Sequence, residues 1–185
     1  MQSRLISLPR ALLALAAAAL VAAVAVDASA VQFGPNDVPS IFHIEKSENR
    51  NQVHYGVRLD ANCLPVGSAP AFAYWRTLVY TPPGMSELTT LERRAYGIAS
   101  QRLLGRRAQS GAVLITLRAM PDRAIMVRSH RGPQGCTADA RATIGGTSSV
   151  LRVIYADIGT FGIRSVELRG ERTADHRRVI ERIEQ

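Results

Sequence analysis

Apolar and polar residues alternate with a period of two over much of the chain, which is the pattern of half-buried β-strands. In one such segment the apolar positions are Val53, Tyr55, Val57 and Leu59, with polar residues or glycine between them. Further strand-like segments cover residues 72–79, 97–104, 112–120, 124–130, 136–144 and 150–155. Residues 163–169 and 177–183 are typical of a final hairpin, although the second segment also fits a terminal helix.

Turn and capping residues divide these segments. Gly145-Gly146 predicts a two-residue hairpin loop, and Pro121-Asp122-Arg123 predicts a tight reversal of the chain. One helix is expected near residues 87–97, because Thr89-Thr90-Leu91-Glu92 has the form of a capping box near its start.

A series of short strands with one helix favours a mainly β fold of about eight to ten strands. An antiparallel up-and-down barrel and a sandwich both fit. A calycin-like barrel, whose lumen can hold a small ligand, is the form we prefer. Residues 41–185 then form a single β-rich domain. Residues 31–40 form an extended lead-in, because Pro35 and Pro39 interrupt regular structure.

Residues 1–30 have the organisation of a Sec-type signal peptide. Arg4 and Arg10 precede the apolar run Ala11–Val26, and Ala28-Ser29-Ala30 supplies the small residues that signal peptidase needs. We therefore expect cleavage after Ala30 and a periplasmic or secreted protein. The apolar run is shorter than the roughly 20 residues that span a bilayer, so no stable membrane span is expected after cleavage. An uncleaved anchor is the alternative.

The chain is basic, with 23 Lys and Arg against 15 Asp and Glu among its 185 residues, and Lys46 is its only lysine. A basic domain can bind nucleic acid. However, the arginines are scattered through the predicted strands, only 5% of residues are aromatic, and export removes the chain from the genome. We therefore expect no nucleic-acid partner. Attraction to an anionic envelope polymer or to lipid head groups is what the charge supports.

The chain has two cysteines, Cys63 and Cys136. In an exported protein two cysteines favour one disulfide bond. If the strands run alternately up and down, the loop that holds Cys63 and the turn before Cys136 lie at the same end. The alternative is a pair of unlinked buried thiols.

Residues 43–57, HIEKSENRNQVHYGV, are unusually polar for a pair of strands. They are followed by NCLPVG at residues 62–67 and PAFAYWR at residues 70–76. These segments resemble the bacterial domain-of-unknown-function family numbered 4833, and the likeness covers nearly all of the chain after the signal peptide. The resemblance implies an exported bacterial domain and no particular activity, because no function is established for this family.

The polar segment carries the candidate catalytic residues. His43 and Glu45 share one face of a strand, and His54 and Arg58 lie on the polar face of the next, so strand pairing can bring them together in a suitable register. Imidazoles beside a carboxylate can bind a metal or act as acid and base, which suggests a hydrolase or a metal-dependent enzyme that uses His43, Glu45 and His54. An exposed strand face with a structural hydrogen bond is the simpler alternative. We expect no metal or cofactor, because no third ligand follows at fixed spacing.

Ligand-binding candidates are Arg58 together with Tyr74, Trp75 and Arg76, although a tryptophan here also fits the core. The chain has no GxSxG, HExxH, CxxC, Walker or GxGxxG motif. We therefore expect an exported β-barrel-like module that binds a small ligand or an envelope component without catalysis. The enzyme described above is one alternative, and a structural envelope protein without a pocket is another.

Overall fold

A computed structural model describes residues 40–46, 49–77, 84–107, 110–159 and 162–184. The predicted signal peptide and most of the predicted lead-in lie outside these residues. The described part contains one helix, α1 (Thr90–Tyr96), and eleven strands. The strands are β1 (Phe42–Lys46), β2 (Asn49–Val57), β3 (Ala71–Thr77), β4 (Gly84–Glu87), β5 (Ile98–Arg107), β6 (Ser110–Leu117), β7 (Met120–Gly132), β8 (Gly135–Ile144), β9 (Thr147–Gly159), β10 (Gly162–Arg172) and β11 (Arg178–Glu184).

The strands form one sheet that branches at β9. The main path runs β4-β3-β2-β1-β9-β8-β7-β6-β5. Along one edge of β9, residues 147–151 pair with β8 and residues 153–156 pair with β1. Residues 149–159 pair with β10 on the opposite edge, and β11 continues the sheet beyond β10. The mainly β prediction with one helix is confirmed, with eleven strands rather than eight to ten.

Most neighbouring strands are antiparallel, but β1 and β9 are parallel, so the sheet is mixed. Within the described part of the chain the end strands β4 and β5 do not pair, and the sheet therefore differs from the closed barrel that we preferred. The Gln101 side chain links β5 to β3 instead, since its amide donates to the Ala71 carbonyl and its carbonyl accepts from the Ala71 N–H, at 3.2 and 2.9 Å.

The strands share one apolar core, because alternate side chains of each strand turn to the same side of the sheet. Strand β6 shows this directly, since buried and half-buried residues alternate along its whole length. The largest fully buried side chains are Tyr55, Phe42, Ile44, Ile115, Leu117, Ile125, Ile144, Leu151, Ile154, Leu168, Val53 and Val113.

Helix α1 begins with the predicted capping box. The Thr89 side chain accepts a hydrogen bond from the Glu92 N–H, and the Glu92 carboxylate accepts one from the Thr89 N–H. The helix buries Tyr96, whose carbonyl accepts a 2.6 Å bond from the Tyr55 hydroxyl in the core. Leu91 in the first turn is 76% exposed, so it takes no part in the core.

Two turn predictions have different outcomes. Gly145 and Gly146 have φ values of 56° and 76°, as a tight hairpin between β8 and β9 requires, and the prediction is confirmed. The predicted reversal at Pro121–Arg123 is wrong, because the turn lies at Arg118–Ala119. Residues 121–123 instead form an irregularity at the start of β7, between its paired positions 120 and 124. The chain ends in the β10–β11 hairpin rather than in a helix.

Candidate functional site

Three side chains lie in a row across β1, β2 and β3, on the face opposite the core. His43 is the register partner of His54, and His54 is the register partner of Tyr74. Paired residues of neighbouring strands project to the same side of a sheet. The rings are stacked, with centroids 5.0 Å apart for His43 and His54 and 5.6 Å apart for His54 and Tyr74. We call these three residues the aromatic row.

A chain of hydrogen bonds connects the two imidazoles through polar side chains. His54 Nδ1 lies 2.7 Å from Ser40 Oγ, and His54 Nε2 lies 2.8 Å from Gln52 Oε1. Gln52 Nε2 donates to Glu45 Oε1 at 3.0 Å, and His43 Nε2 lies 2.9 Å from the same oxygen. We call these five residues, Ser40, His43, Glu45, Gln52 and His54, the polar network.

The acceptors in this network determine where the protons lie. Glu45 as a carboxylate only accepts, so the Gln52 amide group donates to it and the Gln52 carbonyl is left to accept. His54 therefore carries its proton on Nε2 and donates to Gln52. Its Nδ1 then holds a lone pair that accepts the Ser40 hydroxyl proton. By the same argument, His43 Nε2 donates to Glu45.

His54 is held in its neutral form. Its pKa is lowered from 6.5 to about 4, mainly by burial and in addition by the neighbouring charges of His43 and Arg76. The residue is only 3% exposed. Burial also raises the pKa of the Tyr74 hydroxyl, against an opposing effect of Arg76. At neutral pH the side chains of His54 and Tyr74 are therefore uncharged.

Two arginines lie on the same face as the aromatic row. The Arg58 guanidinium lies over the Phe72 ring, 4.8 Å from its centroid, and Phe72 is tilted against Tyr74 at 5.9 Å. Arg76 lies further along β3, where its register partner is Gln52. Arg58 is exposed and Arg76 is half-buried. The face therefore combines guanidinium groups with aromatic rings.

Of the ligand-binding candidates, Trp75 lies apart from the others. It follows Tyr74 in β3 and therefore points to the opposite side of the sheet. It is 9% exposed, belongs to the core and contacts Tyr96 edge to face at 6.3 Å. The remaining candidates, Arg58, Tyr74 and Arg76, share one face with His43, Glu45 and His54.

Ser40 and Gln52 were absent from the sequence-based set of candidates. Gln52 precedes His54 by two residues and so shares its strand face, which the period-two pattern indicates in advance. Ser40 lies just before β1, where no periodic pattern places its side chain, and only the folded chain brings its hydroxyl to His54.

Cys63 and Cys136, the predicted disulfide pair, form a disulfide bond with Cα atoms 5.1 Å apart. It fastens the loop between β2 and β3 to the start of β8. The buried Ser129 hydroxyl of β7 donates to the Cys63 carbonyl at 2.7 Å, and an Arg131 guanidinium donates to the Ala61 carbonyl. A disulfide is compatible with an exported protein.

The described residues offer neither a metal site nor a membrane-spanning helix. They contain no group of three or more His, Cys, Asp and Glu side chains suited to a metal ion. They also contain no helix with the length and apolarity required to cross a membrane.

The model of a protein family described as Domain of unknown function (DUF4833) matches residues 42–182. No curated protein and no solved structure matches the chain.

Proposed function

The chain belongs to the DUF4833 family, whose description gives no function, and we propose that it binds an anionic polymer of the bacterial envelope. The binding face is the side of β1, β2 and β3 that carries the polar network together with Arg58, Phe72, Tyr74 and Arg76. The observation that carries the proposal is the placement of Arg58 and Arg76 beside stacked rings on this single face.

The two guanidinium groups supply the attraction for an anion. Arg58 is exposed, lies over the Phe72 ring and donates to the Ala69 carbonyl at 3.4 Å. Because a guanidinium has five N–H donors, it can contact carboxylate or phosphate oxygens in addition. Phe72 and Arg76 are four residues apart in β3, about 13 Å along the strand. This separation suits successive charged groups of a polymer better than one small anion.

The polar network keeps negative charge from opposing such a ligand. The Glu45 carboxylate accepts from both His43 and Gln52, so two donors offset its charge. His54 is neutral and the hydroxyl of Tyr74 stays protonated. Glu87 of β4, the register partner of Tyr74, is paired with Arg93 at 3.6 Å, so Arg58 and Arg76 are left to attract an anion on this face. The basic composition of the chain, with a net charge of +8, adds long-range attraction to a polyanion.

A binding experiment with matched arginine variants tests the proposal. The probes are polygalacturonate and polyphosphate, with dextran as the neutral polymer, and calorimetry measures binding at low and moderate salt. We expect at least one polyanion to bind, more weakly as salt rises, and Arg58→Ala/Arg76→Ala to lose this binding. Arg128→Ala, which removes an exposed arginine of β7, is the control and retains it.

Three results would contradict the proposal. In the first, the Arg58→Ala/Arg76→Ala variant binds the polyanion as tightly as the wild-type protein does. In the second, the wild-type protein binds dextran as tightly as it binds the polyanions. In the third, it binds neither polyanion. The last result favours a structural envelope protein instead.

We further propose that residues 1–30 direct export and are removed after Ala30. The Cys63–Cys136 disulfide supports an oxidising destination. Intact mass and N-terminal sequencing of the protein recovered from envelope and medium fractions test this. An N-terminus at Val31 is expected, and an intact chain confined to the reducing cytoplasm would oppose it.

Hydrolysis is a second candidate function, favoured by the 2.7 Å contact between Ser40 Oγ and His54 Nδ1. A serine that donates to a neutral imidazole, which is oriented by a third group, resembles an activated nucleophile. Binding is preferred, because an imidazole with a pKa of about 4 is a weak base for removing a serine proton. A fluorophosphonate probe distinguishes the two functions: labelling of Ser40 that Ser40→Ala abolishes supports hydrolysis, and an unlabelled wild-type protein opposes it.

A further inference from the structure

We propose that two copies of this chain associate by antiparallel pairing of β11 with β11 of the second copy. In the described part of the chain, β11 pairs only with β10 and forms one edge of the sheet. Addition of a strand to such an edge continues the hydrogen-bond ladder across an interface. This inference is independent of the proposed binding face, which lies on β1, β2 and β3.

The register of the hairpin determines which backbone groups face the open edge. The Arg172 N–H donates to the Arg177 carbonyl at 2.9 Å, so these two residues form a hydrogen-bonded pair. Hydrogen-bonded and non-hydrogen-bonded pairs alternate along an antiparallel ladder. Val179, Glu181 and Ile183 therefore bond to β10. The N–H and C=O groups that point to the open edge belong to Arg178, Ile180, Arg182 and Glu184.

Several of the features that usually prevent strand pairing are missing from this edge. Proteins protect edge strands with proline, bulges, very short strands or charged side chains, lysine above all, and the charged side chains of β11 are of both signs. Strand β11 has seven residues, RVIERIE, without proline, glycine or lysine, and it pairs with β10 in unbroken register. Ile180 on its outer face is 60% exposed. A second copy would cover part of this side chain.

The sequence of β11 is complementary to itself in one antiparallel register. When the two-fold axis passes through Glu181, each Arg178 faces Glu184 of the second copy. Val179 then faces Ile183. Opposite charges and apolar pairs that face each other across strands are favourable. If the axis passed through Ile180 instead, the pairing of the two strands would shift by two residues and Arg178 would face Arg182 of the second copy. The repulsion between these like charges favours the register centred on Glu181.

The centre of this interface brings the two Glu181 carboxylates together, which by itself is unfavourable. Each is already neutralised within its own copy, since Arg123 donates to both of its oxygens and the Gly145 N–H donates to Oε2 at 3.0 Å. Glu184 contacts Arg182 of the same strand at 2.7 Å, with side chains 70% and 58% exposed. An exposed ion pair of this kind contributes little, so Glu184 can turn towards Arg178.

Variants that exchange the charges of Arg178 and Glu184 test the proposal. They are made in the full chain, which is purified in the form that the expressing cell produces. Sedimentation equilibrium measures the dimer dissociation constant. We expect Arg178→Glu and Glu184→Arg each to raise this constant roughly tenfold, because each changes two symmetric pairs. The Arg178→Glu/Glu184→Arg double variant restores opposite charges and should return the constant to near the wild-type value. Arg128→Glu is the control for net charge and should leave it unchanged.

A backbone variant provides an independent test. Ile180→Pro removes an N–H that faces the open edge but none that bonds to β10, so the folded monomer should persist while the dimer is lost. Circular dichroism checks the fold. A wild-type chain that stays monomeric at every concentration would overturn the proposal. So would a dimer that neither the charge variants nor the folded Ile180→Pro variant weakens.

Discussion

The imidazoles of His43 and His54 are stacked across β1 and β2, with ring centroids 5.0 Å apart and planes inclined by 17°. Their positions follow from the antiparallel register, in which the two residues are direct partners. Two imidazoles this close do not both become protonated at low cost, because like charges repel. Burial resolves this conflict by keeping His54 neutral between Ser40 and Gln52.

The depressed pKa of His54 makes stability depend on pH. The unfolded chain binds a proton on this residue near pH 6.5, whereas the folded chain binds it only near pH 4. The unfolded state therefore holds more protons in between, and the free energy of unfolding should fall by up to a few kcal/mol as the pH drops through this window. Urea denaturation between about pH 5.5 and 7 measures the slope, since Glu181, whose pKa is lowered from 4.5 by its hydrogen bond to Arg123, adds its own loss of stability only at lower pH.

The variant His54→Gln should flatten this slope, because it removes the titrating group. His130→Gln, which replaces an exposed histidine of β7, should retain it. A slope that persists in His54→Gln would mean that another group is responsible.

Removal of the disulfide should lower stability substantially. Cys63 and Cys136 are 73 residues apart in the sequence, and a cross-link that closes a loop of this length contributes about 4 kcal/mol in the chain-entropy model. Urea denaturation of Cys63→Ala/Cys136→Ala should show this loss, and reduced wild-type protein should match it. Two free thiols in denatured, unreduced wild-type protein would refute the bond itself.

Gly111 allows the loop between β2 and β3, which carries Cys63 and Pro65, to pack on β6. A Cβ atom at this position would lie 2.2 Å from Pro65 Cδ, closer than two non-bonded carbon atoms can approach. Gly111→Ala should therefore displace the loop and cost about 1–3 kcal/mol of unfolding free energy. Gly105→Ala in neighbouring β5 is the matched control, because a Cβ there has no atom within 4 Å. Equal stability of the two variants would contradict this packing.

Local features of the fold were predictable where one interaction dominates. The alternation of Val53, Tyr55 and Val57 determines a strand and its buried face, because side chains of a strand alternate strictly. The capping box at Thr89 predicted the helix start through two hydrogen bonds that involve only neighbouring residues. With two cysteines in the chain, one pairing was available, and the structure contains it.

Long-range features were not predictable from the pattern. The parallel pairing of β1 with β9 joins segments about a hundred residues apart, and no local signal indicates such a partner. The turn at Arg118–Ala119 replaced the one expected at Pro121, since a proline is also tolerated where a ladder is interrupted. Ser40 joins the polar network through tertiary contact alone. By contrast, the separation of Trp75 from Tyr74 follows from strand alternation.

The most direct test of the proposed function locates the polymer on the protein. Titration of isotope-labelled protein with the polyanion that binds, followed by two-dimensional NMR, maps the residues whose resonances shift. We expect the largest changes at Arg58, Phe72, Tyr74 and Arg76, with smaller changes at His54, and little change in β6, β7 and β8. Shifts concentrated in β6, β7 and β8, or spread evenly over all exposed arginines, would contradict a binding face on β1, β2 and β3.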